Sequence, residues 1–422
     1  MSRTSVKCLV PVLGVVLGTG LLMTSRYFVV AQSTTALHDD AIVVDGHVHI
    51  TNRVYWEGVD PWEAQTTGLW DYARAKQGGL DVVIEQVYIE DPYNNYNYAV
   101  KQAVRLVETF YRVLEANPER MELALTVADI RRIVEGGKIA VILALEGGFD
   151  MEGDLDVLRL FHRLGVRKVQ FTSHDTTNAF VDTGRGDQAW GGITDHGRAV
   201  IQEMNRLGVL IDVSHASDAA QLAIIEASAA PVVASHHGLR QFSDHTRTLS
   251  DAVLTAMAAK GGLVGIHGQN PYLSQASRDW QIAQRRSSTP DFDWLQDLIR
   301  SPSRDYGQYI ERLDTEMREN WTRGSGFAVP WRELQQQTVD AGGPLSTVED
   351  WVNHVEYGLD LVGEDYIGIG LDLWAGKVYM RDFDATSYPR LTEALVAKGY
   401  NPSRVRKILG ENWLRVLDEA LH

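Results

Sequence analysis

The sequence predicts a (β/α)8 barrel with a long insertion ahead of its eighth strand, and three observations carry that reading. First, eight short segments rich in Val, Ile and Leu recur at residues 41–46, 80–89, 139–145, 166–172, 209–214, 231–235, 262–267 and 366–371. None alternates strictly between apolar and polar residues, as expected for strands buried on both faces. Second, helical patterns precede most of the next segments, and eight such units close a barrel. Third, the main alternative, a doubly wound sheet, needs a glycine-rich phosphate loop after an early strand, and none is present.

The elements follow in order. The chain starts basic (Arg3, Lys7), then runs apolar from Cys8 to Met23, and small residues at 29–31 precede Gln32. That is the pattern of a secretory signal at 1–31, with an uncleaved N-terminal anchor as the competing reading; either way the body of the protein is exported, to a periplasmic or extracellular location. Residues 38–422 form the barrel. A long aromatic connection, 51–79, follows the first strand. Helices are expected at 94–116, 154–164, 197–207, 218–227 and 250–259. The stretch 268–363 is far longer than an ordinary crossover; its part at about 268–345 reads as an insertion, either a lid or a helical elaboration on the barrel flank. The helix at 347–361 feeds the eighth strand, and 402–421 closes the fold.

Composition narrows the function. With 422 residues and 44% hydrophobic composition, the chain can bury a large core. The formal charge is −16, and the only charges before Gln32 are Arg3, Lys7 and Arg26, so the remainder is more acidic still. An acidic surface with no basic run argues against a nucleic-acid partner. The single cysteine, Cys8, lies in the leader, so any metal must be held by His, Asp and Glu.

Those residue types gather at one place. In a (β/α)8 barrel, residues at the C-terminal ends of the strands line the active site. The first segment ends in Asp45-Gly46-His47-Val48-His49, and residues two apart in a strand share a face, so His47 and His49 aim together. The third segment ends in Glu146-Gly147-Gly148, the fourth in Ser173-His174-Asp175, the fifth in Ser214-His215, the sixth in Ser235-His236-His237 and the eighth in Leu371-Asp372. A carboxylate directly after Val-Ile-Leu-Ala-Leu is costly to bury without a partner, which makes Glu146 a ligand candidate. His215 and His236, on adjacent strands, form a second pair of ligands. His237 should turn away from His236 and serve structure. His267 ends the seventh segment without an evident chemical partner, and His162, His196, His245 and His354 read as ordinary. Four histidines, a glutamate and an aspartate exceed the three protein ligands of one catalytic zinc and suit two ions with a bridging carboxylate.

In this order and spacing, the segments 44–47, 144–148, 171–174, 211–215, 231–236, 367–372 and the tail 408–417 resemble the membrane (renal) dipeptidases, peptidase family M19, within the amidohydrolase superfamily. The resemblance runs from about Ala41 to Leu417. It implies an exported binuclear zinc enzyme that cleaves dipeptides with a metal-bridging hydroxide. It also implies a homodimer, with a possible membrane tether through the N-terminus. His47 and His49 would hold the first zinc, Glu146 would bridge, and His215 and His236 would hold the second. Asp372 would be the acid/base, His174 would bind substrate and stabilise the oxyanion, and Arg247 would grip the substrate carboxylate, with Arg240 as fallback. Two positions depart from the family pattern. His49 stands where an aspartate is usual, and Trp374 replaces the second aspartate of the strand-eight motif. Two other readings remain: an amidohydrolase of another amide or ester, such as an N-acyl amino acid or lactone, or a barrel that binds metal without catalysis. Many superfamily members bridge their metals with a carbamylated lysine; here the only lysine nearby is Lys168, at the start of its strand.

Overall fold

A computed structural model describes residues 34–90, 93, 98–147, 153–172, 174, 177–287, 306–323 and 327–421. The expected leader lies outside these residues, as do Gly148, Ser173 and Asp175 of the rim. Among the described residues the strands are β1 (Val44–Val48), β2 (Val82–Tyr88), β3 (Met121–Leu123), β4 (Ile139–Glu146), β5 (Val166–Gln170), β6 (Leu210–Asp212), β7 (Val232–Leu239), β8 (Thr248–Leu249), β9 (Leu263–Ile266) and β10 (Ile367–Ile369). Their order in the sheet is β2-β1-β10-β9-β7-β6-β5-β4-β3, all parallel where they pair, and a seven-residue pairing of β2 with β4 closes the ring. Eight strands therefore make the barrel, one overlapping each segment expected from the sequence. The two others are accessory. β3 pairs with the first residues of β4, and β8 with the end of β7.

The barrel separates two packing problems. Strand residues facing the helices join the large outer core, as Val83, Val141, Val169, Ile211 and Val264 do. The alternate set, including Val44, Val82, Ile84, Ala140, Ile142, Leu210, Val233 and Leu263, packs with Trp413, Leu414 and Leu417 of the C-terminal helix. Gly46 explains itself here. A Cβ at Gly46 would lie 2.0 Å from the Trp413 ring, and one at Gly368 would lie 2.8 Å from its Nε1. The room left by Gly46 is thus taken by a core tryptophan rather than by a ligand. Trp413 Nε1 donates to Ile369 O (2.8 Å), and Asn412 Nδ2 donates to Ile367 O (2.8 Å), which ties the tail motif to β10.

Helix starts follow local chemistry. Thr126 and Thr347 open their helices with reciprocal capping boxes to Asp129 and Asp350, and Ser217 caps Asp218–Ala227. Among the described residues, the stretch between β9 and β10 holds the helices Asn270–Leu273, Gln275–Ser287, Tyr306–Arg323 and Trp331–Asp340 before the feeding helix Val348–Val362. It packs on the flank beside the β1 and β2 connections: Tyr93 Oη donates to Asp314 Oδ1 (2.7 Å), and Arg105 reaches Asp314 Oδ2 (3.1 Å). No helix of the described residues is long and apolar enough to cross a membrane.

Candidate metal centre

The strand ends deliver their side chains to one buried point. His47 lies within β1, Glu146 is the last residue of β4, and His236 lies within β7. His215 and Asp372 stand three residues beyond the ends of β6 and β10 and hold left-handed backbones, φ 69° and 57°. Non-glycine residues avoid that region, so the surrounding structure holds both in place against a local cost. Asp45 supplies part of the restraint. Its Oδ1 accepts from the N–H groups of His47 (3.1 Å) and Leu371 (3.0 Å), and its Oδ2 from Tyr388 Oη (2.5 Å).

Glu146 divides the cluster in two. Its Oε2 lies 3.0 Å from His47 Nε2 and 3.3 Å from His49 Nε2. Its Oε1 lies 2.9 Å from His174 Nε2, 3.6 Å from His215 Nε2 and 3.9 Å from His236 Nε2. Asp372 Oδ1 joins the first group, 3.2 Å from His49 Nε2 and 3.7 Å from His47 Nε2. Within the second, the Nε2 atoms of His215 and His236 are 3.3 Å apart.

These distances test whether metal ions fit. Donors about 2.0–2.1 Å from a tetrahedral zinc lie roughly 3.3 Å from one another, the spacing seen in both groups. Nitrogen lone pairs facing one another at such range repel unless a cation or proton lies between them. Burial drives His215 and His236 well below the usual imidazole pKa, so both stay neutral and able to ligate. Burial also lowers His49. Burial alone would raise Glu146, but the surrounding His47, His49 and His174 hold it well below the ordinary carboxylate range. Asp372 Oδ1 and the Nδ1 atoms of His49 and His215 are buried without a hydrogen-bond partner among the described residues. The donor set fits divalent metal on either side of Glu146.

The family whose sequence pattern matches residues 31–422 is the membrane dipeptidases, peptidase family M19. The chain belongs to that family. It is 27% identical over 391 residues to the dipeptidase tcpJ of Claviceps purpurea, covering 89% of this chain and 76% of that one. It is 24% identical to the dipeptidase verJ of Clonostachys rogersoniana, covering 90% and 84%. In fold it is similar to the probable dipeptidase PvdM from Pseudomonas aeruginosa, with a TM-score of 0.73, 22% identity and coverage of 93% and 98%. It is similar also to a metallo peptidase from Rhodobacter sphaeroides, liganded with a phosphinate mimic of the dipeptide L-Ala-D-Ala, with a TM-score of 0.67, 22% identity and coverage of 90% and 100%. The protein is a metallo-dipeptidase with the (β/α)8 fold of its family.

Around the metal groups of this M19 enzyme, the two arginine candidates separate cleanly. Arg240 is spent on Asp218, with contacts of 2.5 and 2.8 Å, and on Thr248 O. Arg247 is 3% exposed, donates one side-chain hydrogen bond to His236 O (3.0 Å), stands over the Tyr272 ring, and makes no ion pair within 4 Å among the described residues. Its Nε has no acceptor. On the opposite side, Trp374 lies on His49 with ring centroids 3.6 Å apart, near Tyr88 (5.6 Å) and Phe327 of the insertion (6.3 Å). Lys168 is fully buried and pairs with Asp212 Oδ2 (2.5 Å), which leaves Glu146 as the carboxylate between the two groups.

Sequence reasoning passed over several neighbours. His267 lies beside the candidate acid/base, its Nε2 3.5 Å from Asp372 Oδ2 with no hydrogen bond between them. Gln269 donates to the same Oδ2 (2.6 Å), and Tyr379 Oη donates to Asp372 O. Two spacings were available as signals: Gln269 stands two residues beyond His267, and Ser235 directly precedes His236. His237 is fully buried, its ring centroid 6.2 Å from that of His236.

Proposed function

We propose that this M19 dipeptidase is an exported binuclear zinc enzyme that hydrolyses dipeptides at the rim described above. The observation that carries the reading is Glu146, whose two oxygens face two separate groups of imidazoles. His47 and His49 would hold one ion with Glu146 Oε2; His215 and His236 would hold the other with Oε1. When bound, such ions acidify water and polarise a carbonyl oxygen.

The chain's own residues do the rest. Arg247 binds the substrate's free carboxylate: a buried guanidinium without a counterion is matched by a planar anion. That orients the peptide with its amino-terminal residue away from Arg247, toward Trp374, Tyr88 and Phe327. His174, beside Glu146 and against the Tyr88 ring (4.4 Å), stabilises negative charge developing on the carbonyl oxygen. Asp372, with Oδ2 held by Gln269 and Oδ1 facing the first group, accepts the proton of the attacking water and returns it to the leaving amine. The dipeptide mimic bound to the Rhodobacter sphaeroides relative supports a substrate of this class.

Export rests on the basic and apolar leader, and a homodimer on the family resemblance. The deciding experiment is metal analysis of the purified enzyme with a panel of dipeptides, dipeptide amides, N-acyl amino acids and lactones. Two equivalents of zinc and turnover confined to free dipeptides support the reading. Turnover after complete metal removal, or a preference for lactones, overturns it.

A further inference from the structure

Beneath the two groups of ligands lies a single hydroxyl that touches both. Ser235 Oγ is fully buried, 3.0 Å from His47 Nδ1, 2.8 Å from His236 Nδ1 and 2.5 Å from Asp212 Oδ2. Asp212 Oδ2 also takes the Lys168 ammonium at 2.5 Å, while its Oδ1 accepts the N–H groups of Ser214 (2.9 Å) and Ser235 (3.1 Å). An ionised carboxylate only accepts, and a hydroxyl has one proton and two lone pairs. Ser214 Oγ also lies near, but at 3.5 Å, and the charged Asp212 Oδ2 at 2.5 Å is the stronger acceptor, so the Ser235 proton goes to Asp212. Its lone pairs then face His47 and His236, and both rings must present Nδ1–H. A neutral imidazole protonated on Nδ1 has a bare Nε2, and both Nε2 atoms are those aimed at the metal groups.

We propose that Ser235 is a positioning residue shared by the two metal groups: backed by Asp212 and Lys168, its hydroxyl fixes the ligating tautomer of one histidine in each and thereby sets the affinity for both ions together. The inference rests on the two-metal reading of the site. It assigns a purpose to the buried Lys168–Asp212 pair. Outer hydrogen-bond partners of ligating histidines typically change metal affinity by about 10- to 100-fold.

The test compares wild-type enzyme, Ser235→Ala and Ser235→Thr. Zinc affinity is measured ion by ion, by competition with a chromophoric chelator. The Ala variant should weaken both ions, each by about 10- to 100-fold, and Thr, which keeps the hydroxyl, should restore both. Independently of any variant, nitrogen-15 spectra of histidine-labelled, metal-free wild-type enzyme should show His47 and His236 protonated on Nδ1. A loss confined to one ion, unchanged affinities in the Ala variant, or an Nε2–H tautomer at either ring overturns the proposal. Failure of the wild-type enzyme to bind two ions instead overturns the two-metal reading beneath it.

Discussion

Replacing Arg247 by methionine separates recognition of the substrate from its hydrolysis. The guanidinium is buried, gives one hydrogen bond to His236 O, and pairs with no carboxylate of the described residues. Bound substrate would supply the missing anion. Truncating one partner of a buried, hydrogen-bonded charge pair costs about 2–5 kcal/mol, because the other charge is left without compensation. At about 1.4 kcal/mol per tenfold, kcat/KM for a dipeptide should fall roughly 30- to several thousandfold. A dipeptide amide has no carboxylate to lose. Wild-type enzyme should therefore already process it poorly, and Arg247→Met should change that rate little. The assay is steady-state kinetics of both substrates with both enzymes, read as a double-mutant cycle. An Arg240→Met control, which breaks a pair with Asp218 at the surface, should keep dipeptide turnover within about threefold, since exposed pairs contribute roughly 0–1 kcal/mol. Equal losses on dipeptide and amide in Arg247→Met would refute the carboxylate clamp.

Four other outcomes are expected. Asp372→Asn should lower kcat by about 10²–10⁴-fold while metal analysis still finds both ions, because His47, His49 and Glu146 leave the first ion three donors. Metal removal by a chelator should abolish turnover and lower the thermal midpoint, with zinc restoring both, since a ligand that binds only the folded state stabilises it. Trp374→Ala should relax discrimination between Phe-Gly and Ala-Gly by about 1–3 kcal/mol, measured as a ratio of kcat/KM values. The fourth concerns pH. Hydrogen bonds from Arg206, outweighing burial and aided by Arg159, hold Glu203 at about 2. A depressed carboxylate adds stability that is complete above its unfolded pKa and is lost as pH falls toward the folded value. Urea midpoints should therefore show Glu203→Gln destabilised at pH 6, with the deficit shrinking between pH 4.5 and 2.

The fold was legible because burial on both faces leaves a plain mark: every barrel strand overlaps a segment rich in Val, Ile and Leu. The accessory strands left no such mark. β3 and β8 have three and two residues, and they form because β4 and β7 offer edges where a neighbour is short. The ligand candidates were legible because His and Glu at the end of an apolar run have few other uses. Residues that act on those ligands were not. Ser235, Gln269 and Tyr379 are common types whose importance depends on which strand lies beside them, and adjacency across a sheet is not written at any fixed spacing. His267 illustrates the limit: its neighbours in sequence include glycines, while the carboxylate beside it, Asp372, comes from more than a hundred residues further on. Gly46 makes the same point, since the ring that takes the place of its missing Cβ is Trp413, from the far end of the chain.

The barrel interior also explains how two strained residues survive at the rim. His215 and Asp372 hold left-handed backbones that cost of order 1–3 kcal/mol each. Each sits directly above an interior element that cannot readily yield. Below His215, Asp212 is fixed by Lys168 and by three donors from β7 and the loop after β6. Beside Asp372, Asp45 ties Leu371 to β1 and Tyr388, while Trp413 fills the space under Gly46 and Gly368. Cores packed this closely do not deform by degrees. The apolar lower half of the barrel and its buried ion pair thus supply the rigidity that keeps the donor atoms of the site between 2.9 and 3.9 Å from one another. Relaxing either support, by Trp413→Leu or by Asp212→Asn, should loosen the metal centre from below without touching a ligand.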